Sequence, residues 1–341
     1  MSEITKRKKD HIQITQTGVA SYIKTAGFEN YEFIHNALPE IDLEDVTTET
    51  RFLNRWFGFP LFISSMTGGY HDATILNATI AAFCEAYNLP FGVGSQRAML
   101  EDPSQAESFK VVREEAPSAF IASNIGGCQL IGGLAPEKID KMIDTIRADA
   151  IIVHLNPVQE LRQKAGNNTF SGVREGIRSL VKDVEIPVIV KETGSGLSPG
   201  VISQLVDCGV AAVDVAGAGG TSWGRVENIR NGSVGIHFTD EWGIPTVDCL
   251  LGAREKIEDR CELISSGGIR SSMDIAKSLC MGAVMGAAAL PVLQAIQIGG
   301  YDGLETLFKR WQDDFVLLLC LLGCEHPSDL DMIHLRRVAV R

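Results

Sequence analysis

Two hydrophobic patterns alternate along the chain. Eight short, nearly continuous apolar runs recur: Leu61–Met66, Phe91–Gln96, Phe120–Ile125, Ile151–Asn156, Val188–Thr193, Ala212–Gly217, Glu262–Gly267 and Val284–Leu290. Five of the eight end in a polar residue or a glycine, and polar residues or glycines lie at or just beyond the ends of most others. Between them lie amphipathic stretches long enough for a helix and its two loops. Continuous apolar runs suit strands buried on both faces, which is the condition inside an all-parallel sheet covered by helices. Eight such units predict an α/β fold, a closed (β/α)8 TIM barrel, with chemistry where strands end and loops begin.

At 341 residues the chain is longer than this architecture needs, which is about 250. The excess predicts an N-terminal extension over residues 1–59, a barrel over 60–293 and C-terminal helices over 294–341. No linker-like composition divides it, so 1–341 is read as one domain. A net charge of −12 argues against a nucleic-acid surface. The eight cysteines form no CxxC pair and are expected to be reduced and buried. The charged first ten residues have no apolar stretch behind them, so no signal peptide is expected. Phe315–Leu322 is the longest greasy run, too short for a bilayer and suited to a buried or oligomer-facing helix. These features predict a cytoplasmic protein without a membrane partner.

The run ends carry the candidate chemistry. Met66-Thr67-Gly68-Gly69 permits close backbone approach to a ligand, though taken alone the motif reads better as a plain tight turn. Ser95 and Arg97 suit an anion or cofactor, but Arg97 has acidic neighbours in Glu101 and Asp102 with which it could simply pair. Asn124 suits a heterocycle edge or its own loop cap. The fourth run is the densest: His154 and Asn156 share a strand face, Pro157 stops the strand, and Gln159 and Glu160 follow. Glu160 fits a magnesium carboxylate assisted by substrate phosphates, or a general acid or base. Lys191 follows an uninterrupted apolar core, so it should point into the mouth and need a partner or an anion. The glycine-rich stretch Gly217–Gly220 leads to Thr221 and Trp223, where Trp223 is either a pocket wall or packing. Gly267, Gly268 and Arg270 after the seventh run, with Ala289 and Leu290 after the eighth, sit where such barrels grip phosphate. Lys6–Lys9 places four basic residues ahead of the barrel, as a solvated tail or, folded over the mouth, as an anion clamp.

Nine motifs in order resemble one family, the flavin-dependent type 2 isopentenyl diphosphate isomerases: RKKDHI (7–12), SSMTGG (64–69), GVGSQR (92–97), ASNIG (122–126), HLNPVQE (154–160), VKETGSG (190–196), DVAGAGGTSW (214–223), SSGGIRSSMDIAK (265–277) and AAALPVL (287–293). The resemblance spans nearly the whole chain. It implies interconversion of isopentenyl and dimethylallyl diphosphate with reduced FMN, Mg2+ and NADPH as priming reductant, in a tetramer or octamer. It implies FMN contacts at Met66, Thr67, Ser95, Asn124, Lys191, Thr221, Gly267, Gly268, Arg270, Ala289 and Leu290. Substrate would meet Arg7, Lys8, Ser95, Arg97, His154, Asn156 and Gln159, with Trp223 near its apolar tail and Glu160 on magnesium. Catalytic roles would fall to Gln159, Lys191 and His154, with the flavin supplying the proton relay. The segment Leu161–Ser171 matches no motif.

Three other readings compete. A flavin oxidase or dehydrogenase of 2-hydroxy acids would need a histidine base after the seventh strand, where this chain reads SSGGIRSS. An inosinate-type dehydrogenase would need a cysteine in the sixth-strand loop, which has none. A flavin-binding protein without turnover would leave the HLNPVQE cluster without a purpose. No GxGxxG follows a strand, so a separate dinucleotide domain is not expected.

Overall fold

The computed structural model describes residues 3–66, 68–69, 71–164, 166–257 and 260–338. Eight parallel strands close into a barrel: β1 (Leu61–Ile63), β2 (Phe91–Gly92), β3 (Ile121–Gly126), β4 (Ala150–Leu155), β5 (Val188–Glu192), β6 (Ala212–Asp214), β7 (Glu262–Ser266) and β8 (Met285–Ala288). Each pairs with its sequence neighbours, and β8 returns to β1 through Gly286↔Leu61 and Ala288↔Ile63. Helices between the strands form the outer layer, as the alternating pattern predicts. Every strand begins within one residue of its apolar run, but several end sooner. The polar residues closing those runs have already left the ladder for the loops.

Strand alternation divides the apolar residues into two cores. Outward residues such as Val153, Val190 and Val213 pack under the helices. Inward residues Ala122, Ala150, Ile152, Ile189, Ala212, Ile264 and Ala287 fill the barrel. Continuing the same parity by two positions puts Asn124, His154, Lys191, Asp214 and Ser266 in one inward layer at the C-terminal mouth. The register confirms neighbours within that layer: His154 lies opposite Lys191, and Lys191 opposite Asp214.

The N-terminal end of the barrel is plugged. A hairpin, Thr50–Phe52 with Arg55–Phe57, turns through Leu53 and Asn54, both at positive φ, as a two-residue hairpin turn requires. It delivers Phe52 and Phe57 onto Phe62 and Phe120, with ring centroids 5.8–6.3 Å apart. The long helix Leu290–Leu322 bends at Gly299 and Gly300 and buries Phe315, Leu319 and Leu322, leaving Leu317 and Leu321 exposed. Beyond it, Leu335–Arg337 pairs antiparallel with Tyr31–Phe33, tying the two terminal extensions together. All eight cysteines are free, and six are buried.

Candidate active site

A cavity of about 290 Å³ opens at the C-terminal mouth, and all eight strand ends or their loops reach it. Every residue to which the resemblance gives a cofactor, substrate, metal or catalytic role lines it except Thr67, which lies outside the described residues. Met66, Ser95, Asn124, Lys191, Thr221, Gly267, Gly268, Arg270, Ala289 and Leu290 line the barrel side. Arg7, Lys8, Arg97, His154, Asn156, Gln159, Glu160 and Trp223 complete it.

The roof is the N-terminal helix Glu3–Gln16. Arg7, Lys8, His11, Ile12 and Thr15 follow helical spacing, so one face of the helix looks into the cavity. The basic segment therefore folds over the mouth as a lid and is not a solvated tail. The side chains of Lys6 and Lys9 lie outside the described residues. Lys8 Nζ donates to the carbonyl of Gly68 and, at 3.3 Å, to that of Ser95, pinning the lid to the β1 and β2 loops. Burial first and Arg7 second push its pKa down to about 7. Arg7 is also held below its usual value, by burial and then by Arg97.

Glu227 anchors the lid from below and was not legible in the sequence. It sits in the helix Trp223–Arg230, fully buried, and takes His11 Nε2 at 2.7 Å, Arg230 Nη1 at 2.6 Å and Gln159 Nε2 at 3.4 Å. These partners hold its carboxyl below the ordinary range against the opposing pull of burial. A lone glutamate in WGRVENIR reads as a solvated helix face. The available signal was its i,i+4 spacing from Trp223, which places both on one side. Trp223 meets His11 edge-on at 5.1 Å, so it is at once a pocket wall and a packing residue.

On the floor, His154 Nδ1 bonds Asn124 Oδ1 at 2.7 Å. Burial, Lys191 and Lys8 drive the imidazole down to about 3, so it is neutral at physiological pH. A neutral ring that donates from Nδ1 offers Nε2 as an acceptor. Lys191 is buried and donates to the carbonyl of Glu192. Glu192 was also missed: its Oε2 takes the backbone N–H groups of Thr193 and Gly194, each at 2.6 Å, and that of Ser195. Burial nevertheless raises its pKa to about 7. Asp214 accepts from Ser266 Oγ at 2.6 Å and from the Ala216 amide. Lys191 thus lies beside two buried acidic groups, which supplies the partners a buried lysine needs.

At the rim, Arg97 Nε bonds Glu101 at 2.6 Å, and the pairing leaves Arg97 on the cavity lining. Asn156 Nδ2 donates to Gln159 Oε1 at 3.0 Å and to Glu160 Oε1 at 3.3 Å. Thr221 is stitched to the extension through a bridge with Ser21.

Two observations test the fit to a flavin phosphate and ring. Gly267 has φ +96°, and a Cβ there would lie 2.0 Å from the Gly217 carbonyl, so this loop can be built only without a side chain. Ser65 Oγ is buried at the cavity edge with no hydrogen-bond partner among the described residues, which leaves a donor for a ligand. For magnesium the donor set is one carboxylate, Glu160, beside the amide oxygens of Asn156 and Gln159. No cluster of three or more His, Cys, Asp or Glu occurs among the described residues. Hard oxygen donors with a single carboxylate fit a cation that is completed by substrate phosphate.

Comparison with known proteins agrees with this geometry. Residues 135–337 match the FMN-dependent dehydrogenase family. The isopentenyl-diphosphate delta-isomerase of Pelodictyon phaeoclathratiforme (strain DSM 5477 / BU-1) is 44% identical over 96% of each chain. The enzyme of the same name from Methanosarcina barkeri (strain Fusaro / DSM 804) is 39% identical over 97% of this chain and 91% of its own. Among solved structures, a flavocytochrome b2 variant with sulfite bound superposes with a TM-score of 0.69 at 18% identity, covering 100% of this chain and 83% of that one. An active chimera of (S)-mandelate dehydrogenase gives a TM-score of 0.69 at 14% identity over 98% of both. Those two show the shared barrel. With the full-length relatives and the family match taken together, the chain belongs to the FMN-dependent dehydrogenase family and, within it, to the type 2 isopentenyl-diphosphate delta-isomerases.

Proposed function

We propose that the chain interconverts isopentenyl and dimethylallyl diphosphate in the cavity beneath the N-terminal helix. The observation that carries this reading is a cationic roof, Arg7 and Lys8, closed over a floor of Asn124, His154 and Lys191 with Trp223 as an apolar wall. A small ligand with an anionic head and a greasy tail matches that division.

Met66, Ser95, Asn124, Lys191, Thr221, Gly267, Gly268, Arg270, Ala289 and Leu290 would hold FMN. When bound and reduced, FMN would supply the proton-relay chemistry that no side chain here is acidic enough to provide for an alkene. Lys191 would place positive charge against the electron-rich ring system. His154, held neutral, would add no charge; to donate to a diphosphate oxygen it would carry its proton on Nε2, with Asn124 turning its amide N–H to Nδ1. Gln159 would orient the substrate through its amide, which Glu227 steadies by accepting from Nε2. Arg7, Lys8 and Arg97 would grip the diphosphate, and Glu160 would hold Mg2+ against it, fixing the alkene in place. Ser95 and Asn156 would complete the polar contacts.

NADPH as priming reductant, a cytoplasmic location and assembly into a homo-oligomer belong to the same reading. No described helix is long and apolar enough to cross a membrane. The β7 loop presents Arg270 but no histidine, which disfavours the 2-hydroxy acid alternative on the same barrel.

The test is an anaerobic incubation with FMN, Mg2+ and isopentenyl diphosphate in heavy water, with and without a reductant, followed by proton NMR. Dimethylallyl diphosphate and deuterium uptake only with reduced flavin are expected. A reducible bound flavin with no exchange would overturn the substrate assignment.

A further inference from the structure

The segment after Glu160 matches no sequence motif, and its geometry gives it a task. The short helix Pro157–Arg162 is closed by the Gln163 amide bonding the Gln159 carbonyl at 2.9 Å. The chain then folds back so tightly that a Cβ at Gly166 would lie 1.9 Å from the Glu160 carbonyl oxygen and 3.0 Å from that of Gln163. Gly166 has no left-handed φ, so the requirement is for space alone. The turn carries the Asn167 amide onto the Glu160 side chain, where it donates to Oε2 at 2.7 Å. The other oxygen, Oε1, takes Asn156 Nδ2 at 3.3 Å. Each carboxylate oxygen is thereby held by one donor, and each keeps a free lone pair while the group faces the cavity.

We infer that Gly166 and the Asn167 amide are positioning elements for a divalent cation at Glu160: Gly166 lets the loop close, and the amide locks the carboxylate rotor toward the substrate diphosphate. This rests on the assignment of Glu160 to magnesium made above. Donors that orient a ligating carboxylate typically contribute roughly 10–100-fold to metal affinity.

The experiment uses the FMN-loaded full chain and calorimetric titration with inorganic pyrophosphate, alone and as its Mn2+ complex. Gly166→Ala obstructs the turn, Asn167→Pro deletes the donor, and Asn167→Ala keeps the N–H while removing the side-chain bond to the Thr169 amide. Affinity for the Mn2+ complex is expected to fall about tenfold or more in the first two and to stay within about threefold in the third. Affinity for metal-free pyrophosphate should stay near wild type in all three, because its cationic contacts, Arg7, Lys8 and Arg97, lie outside the 163–167 turn. A parallel loss of both affinities would mark a purely structural loop and overturn the proposal. Unchanged Mn2+-complex affinity in Gly166→Ala and Asn167→Pro, with a loss in Glu160→Gln, would overturn it while leaving Glu160 as the ligand. An unchanged Glu160→Gln would instead sink the metal assignment itself.

Discussion

Lys8 and His154 face one cavity, and burial drives both toward the uncharged form, with opposite consequences. His154 is pushed down to about 3, so it stays neutral across the working range and adds no limb to a pH profile. Lys8 is pushed down to about 7, inside that range. Below that value it is a cation, and as pH rises through it the roof loses one positive charge. The Michaelis constant for the diphosphate is therefore expected to climb between about pH 6 and pH 8, and Lys8→Arg should flatten the climb because a guanidinium stays protonated. A flat wild-type profile would contradict this. On the proposed reading, Arg7→Ala would remove charge-assisted hydrogen bonds to the diphosphate worth about 1.5–3 kcal/mol, or roughly one to two decades in substrate affinity, while FMN binding survives. Loss of flavin with an unchanged Michaelis constant would show that Arg7 serves the cofactor instead.

At the scale of elements, the lid helix is tied down through Lys8 and His11. A 14-residue helix is marginal alone, so contacts with the rest of the chain must hold the lid. The buried Glu227 supplies the anchor, through His11 from the lid and Arg230 from its own helix. His11→Ala leaves that carboxylate short of a partner, at a cost of about 1–3 kcal/mol borne by lid docking. Faster amide exchange across residues 3–16 is expected, with a raised substrate Michaelis constant and unaltered exchange in the barrel strands. Equal exchange in variant and wild type would place the lid's attachment elsewhere, at Lys8 and its two carbonyls.

Over the whole molecule, the two ends of the barrel have separate duties. The plug of Phe52, Phe57, Phe62 and Phe120 seals one end, and the cavity occupies the other. Phe52→Ala should cost about 3–5 kcal/mol of stability, by cavity formation in a fully buried cluster, without changing kcat below the unfolding transition. Denaturant unfolding and steady-state rates on the same sample separate the two. A proportionate fall in kcat would mean that the plug and the mouth are mechanically coupled.

The barrel was legible because its signal is local. A strand buried on both faces must be apolar throughout, so β1 to β8 announce themselves as runs, and alternation then places Asn124, His154 and Lys191 inward without any knowledge of their neighbours. The glycines after β7 were equally readable, since a loop that admits no Cβ is written in its composition. What remained hidden depends on contacts between residues far apart in the chain. Glu227 is one glutamate among many until folding brings His11 to it across 216 positions, and Lys8 is a tail lysine until the Ser95 carbonyl meets it from 87 positions away. Arg97 was ambiguous in sequence because its salt bridge and its place in the cavity are compatible, which only geometry shows. The hydrophobic period sets which face of each element is buried, and so sets the fold. Burial and long-range pairing set which polar groups carry charge and which are held in place, and those properties exist only once the chain has closed.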